Sequence, residues 1–144
     1  MTLWILDTDH ISLYQRGNLT IINRVSSANS NNLAVTVISL EEQMYGRLSE
    51  IKRATSAPTL ITSYSRLEIT LDYYKSVQVL PFDQNAHKYF EDLIRQKVRV
   101  GTQDLRIAAI ALSVKGVVVT RNQKDFGKVP NLQVENWADS DIIF

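Results

Sequence analysis

The chain contains no cysteine. That absence removes disulfide frameworks, cysteine-ligated zinc modules and thiol nucleophiles from consideration. It also suits a reducing cytoplasm, where structural disulfides do not persist. Histidine occurs only twice, at His10 and His87, and glycine only five times. No Gly-x-Gly-x-x-Gly or Walker loop is present, so nucleotide-cofactor roles lack support. No apolar run approaches the length of a membrane span. The N-terminal run Trp4-Ile5-Leu6 is too short for a signal-peptide core, has no basic region before it and stops at an acid. Charge of one sign is missing too. A net charge of +1 from 16 basic and 15 acidic residues gives the whole molecule no strong preference for a polyanion.

What remains is ordinary globular composition: 144 residues, 44% hydrophobic and 22% charged. That length supports one domain, residues 1–144, with a substantial core and no need for a structural metal. The order of elements follows from periodicity. Leu3 to Asp7 reads as a short buried strand, and Asp9 as the cap of a helix from His10 to Arg16 that Gly17 and Asn18 end. Leu19 to Ala28 is a second short helix, and the polar cluster Asn29 to Asn32 is a turn. Leu33 to Ile38 is a Val- and Thr-containing strand. Ser39 opens a helix to about Arg53, and Pro58 leads a long helix to about Tyr74 with Ile61, Tyr64, Leu67 and Leu71 on one face. Val77 to Pro81 is a third strand, followed by a helix capped by Asp83. Leu105 to Val114 is apolar on nearly every face and predicts a buried helix ended by Gly116. Val117 to Thr120 and Leu132 to Val134 complete the strands. Strands separated by helices predict a three-layer α/β/α domain with a central, mainly parallel sheet.

Acids recur at the joints of this pattern. Asp7 and Asp9 follow the first strand, Glu41 and Glu42 follow the second, and Asp104 precedes the buried helix. Each has a structural explanation. Asp9 suits a helix cap, Ser39-Leu40-Glu41-Glu42 fits a capping box, Asp104 suits a first helical turn, and Asp125 suits a turn. Jointly they say more, because strand ends and helix starts gather on one rim of an α/β sheet. Carboxylates crowded there repel unless a cation or protons neutralise them. An oxygen-only donor set points to Mg²⁺ or Mn²⁺ rather than zinc, and so to hydrolysis of a phosphate ester.

Read in order, Leu6-Asp7-Thr8-Asp9, Ser39 to Gly46, Asp104 before Ala108-Ala109, Val119-Thr120-Arg121-Asn122, Asp125-Phe126 and Val134-Glu135-Asn136-Trp137 resemble the PIN-domain ribonucleases. The resemblance extends over almost the whole chain and is nearest to the VapC-type toxins of bacterial toxin–antitoxin pairs. It implies a metal-dependent endoribonuclease that hydrolyses RNA phosphodiesters with Mg²⁺ or Mn²⁺. It also implies a homodimer restrained by a cognate antitoxin that occludes the acidic site. By matching position, Asp7, Glu42 and Asp104 are the implied central acids, with Asp7 and Asp104 first among the metal ligands. Glu42, not Glu41, fits the family's Glu-x-x-x-Gly pattern through Gly46, whose missing side chain would permit close packing. Gln43 stands where the family usually has Leu. Asn122 occupies a position where many relatives carry Asp, and it is a candidate metal ligand through its carbonyl. Asp125, three residues on, is a further catalytic candidate. Arg121 and Arg99 are candidate RNA contacts that would position phosphate without reading sequence.

Other chemistries compete. A phosphoaspartate-forming phosphatase would use Asp7 as nucleophile, but Ile11 stands where that family places Thr, and Glu42 would have no role. A metal-free acid–base pair of His10 and His87 would need a geometry that two isolated histidines do not promise. A non-catalytic RNA-binding domain of the same fold would have no reason to keep a strained acidic rim. Leu13, Tyr14, Ile21 and Ile22 on the early helices suit either protein contacts or the core.

Overall fold

A computed structural model describes residues 1–139. Parallel strands β1 (Trp4–Leu6), β2 (Leu33–Thr36), β3 (Val79–Leu80), β4 (Val117–Val119) and β5 (Gln133–Glu135) form one sheet in the order β3-β2-β1-β4-β5. Helices α1 (Thr8–Gln15), α2 (Leu19–Ser27), α3 (Val37–Arg53), α4 (Ala57–Ser76), α5 (Gln84–Arg95), α6 (Thr102–Ser113) and α7 (Gln123–Phe126) connect the strands. The expected α/β architecture is present, and the sheet is parallel throughout. No helix among the described residues is long and apolar enough to cross a membrane.

Strand alternation divides the core in two. Ile5, Ala34 and Val118 point to a cluster filled by Leu105, Ile107 to Ala111 and Phe126. Leu6, Val35 and Val119 point to the opposite cluster, with Ile11, Ile21, Tyr74 and Trp137. Ile21 is therefore core rather than contact surface. The helix from Thr102 to Ser113 is buried as its uniform apolarity predicts.

Helix α4 departs from expectation. Ile61, Tyr64 and Leu71 are 67%, 52% and 50% exposed, while Ser63, Thr70 and Tyr74 face inward. The reason is polar: Arg47 of α3 donates through Nε to Thr70 Oγ1 at 2.9 Å, and Arg66 pairs with Glu50 at 3.2 Å. These links help fix which side of α4 meets α3, and that side is not the apolar one.

Gly116 marks a close approach. A Cβ there would lie 2.6 Å from Ile5 Cδ1 and 3.2 Å from the Leu3 carbonyl oxygen. Ile5 is fully buried and the carbonyl belongs to the backbone, so neither neighbour yields readily. Gly116→Ala is expected to destabilise the fold by about 1–3 kcal/mol in a denaturant titration. A loss under half a kcal/mol would mean that the Ile5 side chain relaxes freely.

The topology dictates where function sits. From β1 the chain proceeds through β2 to β3 on one side, whereas β4 and β5 lie on the other. Ligands of open α/β sheets bind beyond the carboxyl ends of strands at such a reversal. Here α1, α3 and α7 start just after β1, β2 and β4, and α6 runs back before entering β4, so its N-terminus returns to the same edge.

Candidate active site

Asp7 is the first residue beyond β1. Its N–H donates to the Val119 carbonyl at 3.1 Å, extending the ladder, and its Oδ1 accepts the His10 N–H at 2.9 Å. Asp7, not Asp9, is thus the cap of α1. Its extended backbone (φ −75°, ψ 173°) makes it the last residue outside the helix, and Asp9 falls within the first turn.

The capping box that would have explained Glu42 structurally, with Ser39 as its cap, does not form. Thr36 caps α3 by accepting the Ser39 N–H at 3.2 Å, so the second strand ends at Thr36 and the helix starts two residues before Ser39. Glu42 therefore lies in the second turn, where no orphan backbone donor needs it. Its Oε1 instead accepts the Thr8 hydroxyl at 2.6 Å. Thr8 Oγ1 also lies 2.8 Å from the fully buried Ser39 Oγ. A hydroxyl has one proton to give. With Thr8 donating to Glu42, Ser39 must donate to Thr8, a relay that fixes the carboxylate. Neither Thr8 nor Ser39 was a candidate site residue in the sequence, although Thr8 lies between two acids at a helix start.

Asp104 enters from the first turn of α6. Burial first, then the nearby carboxylates of Glu42, Asp7 and Asp125, push its carboxyl up to about 6. The acids from separate stretches of chain therefore meet on one rim. Among the described residues, no lysine or arginine is ion-paired to Asp7, Glu42 or Asp104. Asn122 lies between two of the rim's carboxylates. Its Nδ2 donates to Asp125 Oδ2 at 3.1 Å and approaches Asp104 Oδ2 at 3.4 Å. In this arrangement the amide is a donor holding carboxylates together. Asp125 also has Lys128 Nζ at 3.7 Å.

Asp9 belongs to a different interaction. Arg121 grips it through two hydrogen bonds of 2.7 Å, and these hold its carboxyl below the usual range. Arg121, a candidate RNA contact, thus already has a bidentate carboxylate partner. Arg99 is exposed on the loop before α6.

His10, in the first turn of α1, is fully buried. Its Nε2 accepts the Trp137 backbone N–H at 3.1 Å. An accepting ring nitrogen carries no proton, so the neutral imidazole has its proton on Nδ1. That atom has no hydrogen-bond partner and lies 3.6 Å from Asp7 Oδ1 and 3.8 Å from Asp9 Oδ2. His87 is exposed on α5 beside Glu91. A buried His10 does not reach substrate, which removes the acid–base pair. Imidazole ¹⁵N NMR is expected to find the Nδ1-protonated tautomer at His10, and protonation at Nε2 alone would sink the Trp137 contact.

The tightest potential ligand set is Asp7, Asp9 and His10, with one atom from each within 4.8 Å of the others. It does not suit a metal in this state: the Nδ1 proton blocks the lone pair, and Arg121 occupies Asp9. The wider pit of Asp7, Glu42 and Asp104 offers oxygen donors alone. A donor set of carboxylate oxygens is the kind hard divalent cations such as Mg²⁺ or Mn²⁺ take, and Mg²⁺ keeps several waters and needs only one or two protein carboxylates. Ile11, which stands where a phosphoaspartate-forming enzyme has Thr, lies wholly within the core.

Gly46 does not provide close packing. A Cβ there would meet nothing within 4 Å. Gln43, where Leu is usual, is a buried polar hub: its Oε1 accepts the Tyr74 hydroxyl at 2.9 Å, and its Nε2 donates to Gln15 Oε1 at 2.9 Å and to Ser12 Oγ at 3.2 Å. It ties α1, α3 and α4 together behind Glu42.

No family model matches the chain. It is 32% identical over 114 residues to ribonuclease VapC2 of Rickettsia felis, covering 76% of this chain and 78% of the relative. It is 26% identical over 138 residues to the tRNA(fMet)-specific endonuclease VapC of Salmonella typhimurium, covering 96% and 100%. Among solved structures, the DNA-bound VapBC complex of Salmonella typhimurium contains a chain that superposes with a TM-score of 0.77 at 25% identity, covering 95% of this chain and 99% of that one. The identity to the Rickettsia protein over three quarters of each chain, together with the shared fold, places this chain in the VapC ribonuclease family.

Proposed function

We propose that this chain is a metal-dependent endoribonuclease, the toxin of a toxin–antitoxin pair, that acts in the cytoplasm as a homodimer until a cognate antitoxin covers its acidic site. One observation carries the catalytic part of this reading. Asp104 is pushed up to about 6 by burial and by Glu42, Asp7 and Asp125, with no paired lysine or arginine among the described residues to relieve it. A rim of this kind is stable in its charged form only with a cation.

Asp7 and Asp104 would hold the ion directly, with Glu42 completing the set. Mg²⁺ or Mn²⁺ bound there supplies an acidified water and offsets charge on the phosphate. The chain's own residues do the positioning. Thr8, donating to Glu42, fixes the angle of that carboxylate, and the Asp7 cap hydrogen bond fixes the other. Asn122 is better used as a donor that orients Asp104 and Asp125 than as a ligand. Asp125, beside Lys128 and linked to Asp104 through Asn122, would complete the acidic rim around the ion. Arg121, held by Asp9, would present its remaining donors to the RNA backbone, and Arg99 would do so from the loop before α6.

The test is cleavage of labelled RNA by purified protein with Mn²⁺ or with EDTA, comparing wild type and Asp7→Asn. Cleavage that needs Mn²⁺ and falls at least a hundredfold in the variant is expected, the scale of losing several kcal/mol of charge stabilisation. Equal cleavage in EDTA would refute the mechanism.

A further inference from the structure

Gly46 sits in the interior of α3, one turn beyond Glu42 and on the same face. Glycine there costs the helix about 1 kcal/mol relative to alanine. No close approach of another element requires it, because the space above it is open. That space is a groove of about 460 Å³ between α1, α3 and α4, and Thr8 and Glu42 of the acidic site form part of its wall. Away from those residues its charged lining is Arg16, Arg47, Arg66 and Glu50. Glu50 is shared: Arg47 Nη1 lies 3.1 Å from Oε1, and Arg66 Nη1 lies 3.2 Å from Oε2. One carboxylate between two guanidiniums, with exposed Arg16 unmatched in that lining, leaves the groove positively charged beside a negatively charged pit. Arg47 is already fixed by its bond to Thr70, so ordering it adds little cost on binding.

A polyanionic strand whose scissile phosphate lies at the acids must continue somewhere. This groove adjoins the acids, has the volume of a small-ligand site and carries the complementary sign. We infer that the α1–α3–α4 groove is a subsite for the nucleotide flanking the scissile phosphate, with Arg16 and Arg66 against its backbone and Gly46 as the open floor. This rests on the ribonuclease reading above and names where that enzyme holds its substrate.

The experiment compares a labelled single-stranded RNA of mixed sequence with bis(p-nitrophenyl) phosphate, a small diester that has no flanking nucleotide, both with Mn²⁺. Gly46→Leu fills the groove, and the ratio of kcat/KM on RNA to kcat/KM on the small diester is expected to fall about tenfold, mostly through KM, as a lost contact of that size requires. Arg16→Ala, a change at the exposed C-terminal end of α1 that leaves the α3–α4 links intact, is expected to make the salt dependence of RNA cleavage shallower by about 0.7 in log–log slope, the value for one single-strand phosphate contact. An unchanged ratio with an active wild type would overturn the subsite and leave the ribonuclease intact. Equal loss on both substrates would also overturn it, because Gly46 would then act through the acids. Weakened binding of a protein partner with RNA cleavage unaltered would assign the groove to a peptide instead. A wild type that cleaves neither substrate would overturn the ribonuclease reading itself.

Discussion

Asp104→Asn is expected to lose RNA cleavage by about two to three orders of magnitude and, without metal, to gain stability. The two effects share one cause. In the folded chain burial and the carboxylates of Glu42, Asp7 and Asp125 raise the Asp104 carboxyl from 3.8 to about 6. The folded state then binds more protons than the unfolded chain between those values, so stability falls as pH rises through that window. Below 3.8 the neutral form carries no penalty, and above about 6 the penalty is complete. Asparagine removes it at neutral pH. With solvent still screening this half-buried group, the gain is roughly 1 kcal/mol, or about 3 °C in a melt in EDTA. Added Mn²⁺ should raise the melting temperature of wild type and not of the variant. A variant that is both inactive and less stable than wild type would mean that Asp104 is held by structure, not strained by charge.

Mn²⁺ binding by the wild-type protein is expected to weaken about tenfold for each pH unit below about 6, because one proton must leave Asp104 before it can serve as a ligand. Binding should be nearly independent of pH between 7 and 8. Calorimetry at a series of pH values gives the slope directly, and RNA cleavage at subsaturating Mn²⁺ should follow it. A flat profile from pH 7 to 5 would show that the raised carboxyl is not among the ligands. The direction distinguishes this site from Asp9, whose carboxyl is held low by Arg121 and stays charged throughout the same range.

Much of the fold was legible in the residues, for a physical reason. Strands such as Val117–Val119, buried on both faces, must be continuously apolar, and helix starts need acceptors for their free N–H groups. Both requirements leave local marks. The acids were legible because their positions at strand ends and helix starts follow from that same order. Caps were less secure. Asp7 and Asp9 are both good caps, as are Thr36 and Ser39, and only the backbone angle at which each strand ends selects between them. The inward side of α4 was hidden because Arg47–Thr70 and Arg66–Glu50 join residues far apart in the chain, and periodicity registers apolar spacing rather than polar partners. His10 was hidden likewise, since its partner is the backbone of Trp137 at the other end of the molecule.

The order of residues alone determined a parallel α/β layer structure, the acids available at its rim and the kinship with VapC ribonucleases, because these depend on local pattern and on side-chain type. Only the tertiary structure decided which acids share a field and which is neutralised: Asp104 is raised among carboxylates, while Asp9, two residues from Asp7, is matched to Arg121. Electrostatic interaction depends on distance through space and on burial, and neither quantity exists until the chain has closed on itself.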